Sequence, residues 1–172
     1  MPNKRTESDS IGSMQIPADA YYGVQTYRGY LNFHITGIPL SSVFIRNIVK
    51  IKKAAALTNV KAGLLDEKTG QAIVAACDEA LAGKLDSGFI TDSIQGGAGT
   101  TANMNVNEVI ANRATELLGG KKGEYLCHPN DHVNCSQSTN DVIPTAGRLT
   151  VIELAARLDE SVAKLVSALD EK

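Results

Sequence analysis

The sequence predicts a mainly α protein: an N-terminal helical domain with short extended segments, followed by the first part of a long bundle helix. Three observations predict it. Apolar residues recur at helical spacing between Phe44 and Leu81, and again between Val106 and Leu117. A single apolar seam of Val151, Leu154, Leu158, Val162, Leu165 and Leu169 then advances in steps of three and four. Residues 1–40, by contrast, carry four of the five tyrosines with several glycines and little periodicity. The division that follows is a domain over 1–140, extended and turn-rich in 1–40 and helical with polar loops in 41–140. The segment 141–172 is the first part of a helix-bundle domain.

Taken in order, residues 1–40 read as extended segments and turns that strap onto something else. The stripe Phe44, Ile48, Ile51 and Ala55 predicts a first helix, stopped at Gly63. Asp66 caps a second, which buries Ile73, Cys77, Ala80 and Leu81 and ends at Gly83. Cys77 on that face is read as a small core residue. A third helix runs from near Thr101 to Leu118 on a stripe of Val106, Ile110, Ala114 and Leu117, with Gly119-Gly120 ending it. A polar loop extends to about Thr139. The last helix covers about Asp141 to Lys172, about 45 Å, with Pro144 near its first turn. It reaches Asp170-Glu171-Lys172 without a glycine or proline stop. It therefore reads as a bundle helix cut partway, or as a charged terminal helix on its own domain.

Composition narrows the function classes. The 172 residues are 43% hydrophobic and 21% charged, ordinary for a globular chain, with net charge -2 and no basic stripe for nucleic acid. No apolar run approaches a membrane span, and Met-Pro-Asn-Lys-Arg is followed by polar residues rather than the apolar stretch of a signal peptide, so the expected location is the cytoplasm. Three cysteines, Cys77, Cys127 and Cys135, do not make a disulfide framework. Cys127, His128, His132 and Cys135 are zinc-ligand types. Their spacing is not that of a zinc finger, and adjacent Cys127 and His128 do not readily face one tetrahedral ion, so no metal or other cofactor is expected.

Two polar loops carry candidate chemistry. In Gln95-Gly96-Gly97-Ala98-Gly99-Thr100-Thr101, three glycines let backbone N–H groups approach a ligand, and Thr100 and Thr101 open a helix. Its N–H groups and dipole favour a carboxylate or phosphate. It is neither a Walker loop nor a dinucleotide fingerprint, and the bland alternative is a glycine linker with a capping threonine. In Ser136-Gln137-Ser138-Thr139-Asn140-Asp141, capping explains one polar residue but not six. The pair of loops suits a dicarboxylate. No nucleophile elbow or His-Glu-x-x-His is present, and His34, His128 and His132 have no orienting partner in sequence, so a proton abstractor is missing.

Three stretches then carry a family resemblance. They are Ile16-Pro17 with Ala20-Tyr21-Tyr22-Gly23-Val24-Gln25-Thr26, then Gln95 to Thr100 with Asn103-Met104-Asn105 and Asn107-Glu108, then His128 to Asn134 with Gln137-Ser138-Thr139-Asn140-Asp141. In order and spacing they resemble the N-terminal portion of the aspartase/fumarase superfamily. The Gly-Gly-Ala-Gly-Thr and Ser-Thr-Asn-Asp forms resemble the aspartate ammonia-lyases more than the class II fumarases.

The resemblance implies reversible anti deamination of L-aspartate to fumarate and ammonia through an aci-carboxylate intermediate. It implies Thr100, Ser138, Thr139 and Asn140 as substrate-binding residues, with Thr101, Arg28, His128, Asn130 and Asp131 as secondary contacts. It also implies a homotetramer whose sites combine loops of several subunits. The family's base, a serine on a downstream Gly-Ser-Ser loop, has no counterpart here. No catalytic residue is therefore expected in this chain, and the chain alone is expected to be inactive. The competing readings are a class II fumarase and a non-catalytic helical module docking through its seam.

Overall fold

The computed structural model describes residues 3–171. Strands β1 (Lys4–Asp9) and β2 (Gly12–Pro17) form an antiparallel hairpin in which Lys4 faces Pro17 and Asp9 faces Gly12. Helices α1 (Val24–Asn32), α2 (Ser42–Lys61), α3 (Glu67–Leu81), α4 (Thr100–Leu117) and α5 (Thr139–Asp170) follow. The mainly α expectation therefore holds.

The centre is α4, with α3 on one side, α1 on another, and α2 packed against α3 and the start of α5. Val106, Val109, Ile110, Ala111 and Ala114 of α4 meet Ile73, Ala76 and Ala80 of α3 in the same core. The small residues let the two helices approach closely. As expected, Cys77 is a core residue, and burial pushes its thiol up to about 12. Helix ends follow the sequence signals. The Asp66 carboxylate accepts the Thr69 N–H at 2.9 Å, and Gly63 takes the left-handed conformation, φ 71°. The Leu64 N–H then reaches the Asn59 carbonyl and the Gly63 N–H reaches Val60. The same pair of bonds closes α3 at Gly83 and α4 at Gly119.

Several expectations are corrected. On α2 the buried stripe is Ile45, Ile48, Val49, Lys52 and Ala56, while Phe44, Ile51 and Ala55 are only half-buried. The helix is rotated because a lysine occupies an inward position, which an apolar count cannot register. On α4, Leu117 is exposed, since it sits at the helix end beyond α3. Pro144 is the sixth residue of α5, which begins at Thr139 rather than Asp141. There it leaves the Asn140 carbonyl without its helical N–H donor. The polar loop before α5 contains a π-helical turn, Pro129–Val133. Lys172, the expected end of the last helix, lies outside the described residues.

Residues 3–40 lie against the domain as a hairpin and turns, and they include the unexpected helix α1. Alone it would be marginal: it is nine residues long and its N-cap, Gly23, has no side chain. Tertiary carboxylates cap it instead. Buried Glu108 of α4 accepts the N–H groups of Gly23 (2.8 Å), Gln25 (3.0 Å) and Thr26 (3.0 Å). Buried Glu7 of β1 accepts the Val24 N–H at 3.0 Å and the Tyr125 hydroxyl at 2.6 Å. The four orphan donors of the helix start are thus all satisfied. Burial pushes the Glu108 carboxyl up, and the N–H donors oppose that shift. The Arg5 guanidinium adds a clamp, donating to Glu7 and to the carbonyls of Pro17, Ala18, Ala20 and Tyr22.

Only the first turns of α5 pack on the domain. Val142 and Ala146 are buried, and Asn47 donates to Thr150 Oγ1 at 3.1 Å. Beyond them the apolar seam faces outward, with Leu158 62% and Leu169 64% exposed.

Two stability predictions follow from these contacts. Glu108→Ala orphans three N–H groups at once and is expected to cost about 3 kcal/mol or more in chemical denaturation. Lys52 is fully buried, and desolvation holds its amine down to about 7 from an ordinary 10.5. The unfolded chain therefore binds more protons between these values, and stability from this group rises with pH across that window. Lys52→Met is expected to be about 1–4 kcal/mol more stable at pH 7 or below. That advantage shrinks toward pH 10 in denaturation curves taken across the range.

Candidate functional site

The glycine loop is held from both sides. The Gln95 carboxamide donates to the Asp92 carbonyl at 2.9 Å and accepts the Ala102 N–H at 2.6 Å. This fixes the first turn of α4. Gly97 and Gly99 are left-handed, φ 72° and 81°, and a Cβ on Gly99 would lie 2.9 Å from the Ile143 side chain. Only glycine lets the start of α4 lie against the start of α5 this way. Thr100, the first residue of α4, is exposed.

The second loop meets it there. Ser138 is the N-cap of α5, its Oγ accepting the Asn140 N–H at 3.2 Å. Ser138 and Asn140 are exposed and Thr139 is half-buried. The Asn103 amide of α4 donates to Thr139 Oγ1 at 3.1 Å. Two helix N-termini carrying Thr100, Ser138, Thr139 and Asn140 are thus tied side by side, and their positive dipole ends add.

Beneath them lies a junction that sequence reasoning missed. Asn134 Oδ1 accepts from Lys52 Nζ (2.7 Å), Asn103 Nδ2 (3.2 Å) and Asn107 Nδ2 (3.3 Å). Asn134 Nδ2 donates to the Gln137 carbonyl at 3.0 Å, one residue before Ser138. Gln137 in turn donates to the carbonyls of Val133 and Cys135, and Asn59 also donates to Cys135. Side-chain amides, rather than secondary structure, therefore set the second loop. The available signal was Lys52 at an inward step of the α2 period and the run of asparagines at 103, 105 and 107. The side-chain oxygens of Asn103, Asn107 and Gln137 are buried without a protein partner.

The secondary candidates gather elsewhere. Arg28, Thr101, His128 and Asn130 line one surface cavity of about 570 Å3 between the hairpin tip, α1 and the start of α4. Asp131 is not among its lining residues. Arg28 is also engaged at home: its guanidinium donates to the Asp9 carboxylate at 2.7 and 3.0 Å and to the Gly12 carbonyl. That guanidinium holds the Asp9 carboxyl below its ordinary range. His128 Nδ1 accepts the Asp131 N–H, and His132 Nδ1 accepts the His128 N–H. Cys127 is buried, with its thiol pushed up to about 12. Among the described residues no group of three His, Cys, Asp or Glu side chains is placed to hold a metal ion. No described helix is long and apolar enough to cross a membrane. His34 lies apart, exposed, its ring bonded to the Tyr30 carbonyl.

Chemically, the Thr100–Asn140 region can hold an anion by hydroxyls, an amide and helix N-termini. Comparison with known proteins places the chain in a family. The lyase family model matches residues 12–172. An aspartate ammonia-lyase from a Bacillus species is 54% identical over 158 residues, covering 91% of this chain and 34% of the relative. A class II fumarate hydratase from Halobacterium salinarum is 51% identical over 169 residues, covering 98% of this chain and 36% of the relative. A solved fumarate lyase:delta crystallin structure from Brucella melitensis superposes with a TM-score of 0.94 at 47% identity, covering 99% of this chain and 40% of that one. The chain spans about a third of the length of the curated relatives it matches. A match over nearly the whole chain, on the fold just described, makes this chain a member of the lyase family of the aspartase/fumarase superfamily.

Proposed function

We propose that this chain is the N-terminal part of an aspartate ammonia-lyase, which eliminates ammonia from L-aspartate to give fumarate. The observation that carries this reading is the Asn103–Thr139 bond, which holds two hydroxyl-bearing helix N-termini at one place. In an anti elimination, loss of the proton beside the β-carboxylate moves negative charge onto that carboxylate. Fixed N–H and O–H donors stabilise such charge without reorganising. Thr100, Ser138, Thr139 and Asn140 would supply those donors and hold the second carboxylate and the amino group. The proton abstractor would come from a serine loop outside this chain. Thr101, His128 and Asn130 would serve a secondary role with Arg28, and Asp131 would contribute from outside their cavity. The intact protein would be a cytoplasmic homotetramer, with the outward seam of α5 as bundle surface.

A class II fumarase is the second reading, favoured by the Halobacterium relative. The Gly-Gly-Ala-Gly-Thr of residues 96–100 and the Ser-Thr-Asn-Asp of 138–141 support the aspartase reading over it. Incubating the intact protein with L-aspartate and, separately, with L-malate separates the two by the ultraviolet absorbance of fumarate. Fumarate from L-aspartate is expected; fumarate from L-malate alone would make it a fumarase. Thr139→Val is expected to lower kcat/KM about 10- to 100-fold, the value of one hydrogen bond to a charged group. Residues 1–172 alone are expected to form no fumarate in the same assay.

A further inference from the structure

Lys52 is fully buried, and its ammonium has one hydrogen-bond partner, Asn134 Oδ1 at 2.7 Å. No acidic side chain among the described residues pairs with it, although a buried cation without a counter-charge is costly. The surroundings offer none. From α3, Cys77 faces it as a neutral thiol, pushed up to about 12, and Asp78 is taken by Lys53. From α4 come the carboxamides of Asn103 and Asn107. The π-helical turn brings His132, whose Nδ1 accepts the His128 N–H. From α5, Glu153 is taken by Lys50 and Asn47.

The other end of this network opens on the candidate site. Asn134 also accepts from Asn103, which holds Thr139, and donates to the Gln137 carbonyl next to Ser138. Lys52 therefore stands three hydrogen bonds behind Thr139, by way of Asn134 and Asn103. The positive ends of two helix dipoles lie there with Lys52, and the acidic side chain in the first turn of α5, Asp141, is exposed. We propose that Lys52 is a positioning residue whose counter-charge is the bound dicarboxylate itself, so that ligand binding draws a proton onto Lys52. The inference rests on the dicarboxylate reading of the site and adds to it a proton-linked anchor.

Burial holds the Lys52 amine down to about 7. Above that pH it is mostly neutral, and an anion nearby favours its charged form. Fumarate has no group titrating near pH 8, so any proton taken up on binding goes to the protein. Calorimetric titration of the intact protein with fumarate, in two buffers of different ionisation enthalpy, measures that uptake. Up to about one proton per site is expected at pH 8, with affinity falling about tenfold per pH unit above neutrality. Lys52→Arg, cationic throughout, should bind fumarate without uptake, and so should Lys52→Met if it binds. Lys50→Met on the exposed side of α2 should keep the uptake. Binding without uptake in the wild type, or uptake persisting in Lys52→Arg, overturns the role of Lys52 and leaves the dicarboxylate reading intact. Failure of the wild type to bind fumarate overturns the dicarboxylate reading and this inference with it.

Discussion

The buried carboxylate of Glu108 is the contact on which the arrangement of the N-terminal half depends. It projects from the middle of α4, the helix around which the domain is built, and takes three N–H groups of α1. A short helix with no side-chain cap has no reason to persist in water. Here its start is completed by Glu108 from one side and Glu7 from the other, with Arg5 and Tyr125 holding Glu7 in turn. The helix then presents Arg28 to the hairpin tip and Gly29 to Thr101 at the head of α4. The cavity lined by Arg28, Thr101, His128 and Asn130 exists because this strap is docked where it is.

A second polar junction does for the loops what Glu108 does for the strap. Asn134 receives three donors on one oxygen and passes a bond to the backbone of the loop before α5. Such a network is costly to leave incomplete and correspondingly specific when formed. It fixes Thr139 relative to α4, while Gly99 lets the two helix starts touch. Buried ionisable groups thus serve both junctions: Glu108 and Glu7 take the donors of a helix start, and Lys52 donates to the Asn134 carboxamide.

Much of this was legible in the sequence. The glycines at 63, 83 and 119 end their helices as read, because a left-handed residue is cheap only for glycine. Asp66 caps α3, and the seam from Val151 to Leu169 is helical and outward-facing. These signals are local: each depends on residues within a turn or two of one another. The two polar loops were legible as well, since six consecutive small polar residues exceed what capping needs.

What the tertiary structure alone decided is long-range. The α1 helix, the rotation of α2 about Lys52 and the place of Pro144 within α5 each depend on partners distant in sequence or on a helix start set by another element. Glu108 is more than eighty residues from the N–H groups it caps. Lys52 is as far from Asn134. A periodicity count scores Lys52 as polar and outward, and only the carboxamides brought to it from α4 and the loop before α5 make an inward lysine tenable. The sequence by itself determined which segments are helical, where most of them stop and which loops carry clustered hydroxyls and amides, because those are properties of neighbouring residues. Only the tertiary structure decided which loops meet and what holds them, because buried polar groups take whatever partner the fold supplies.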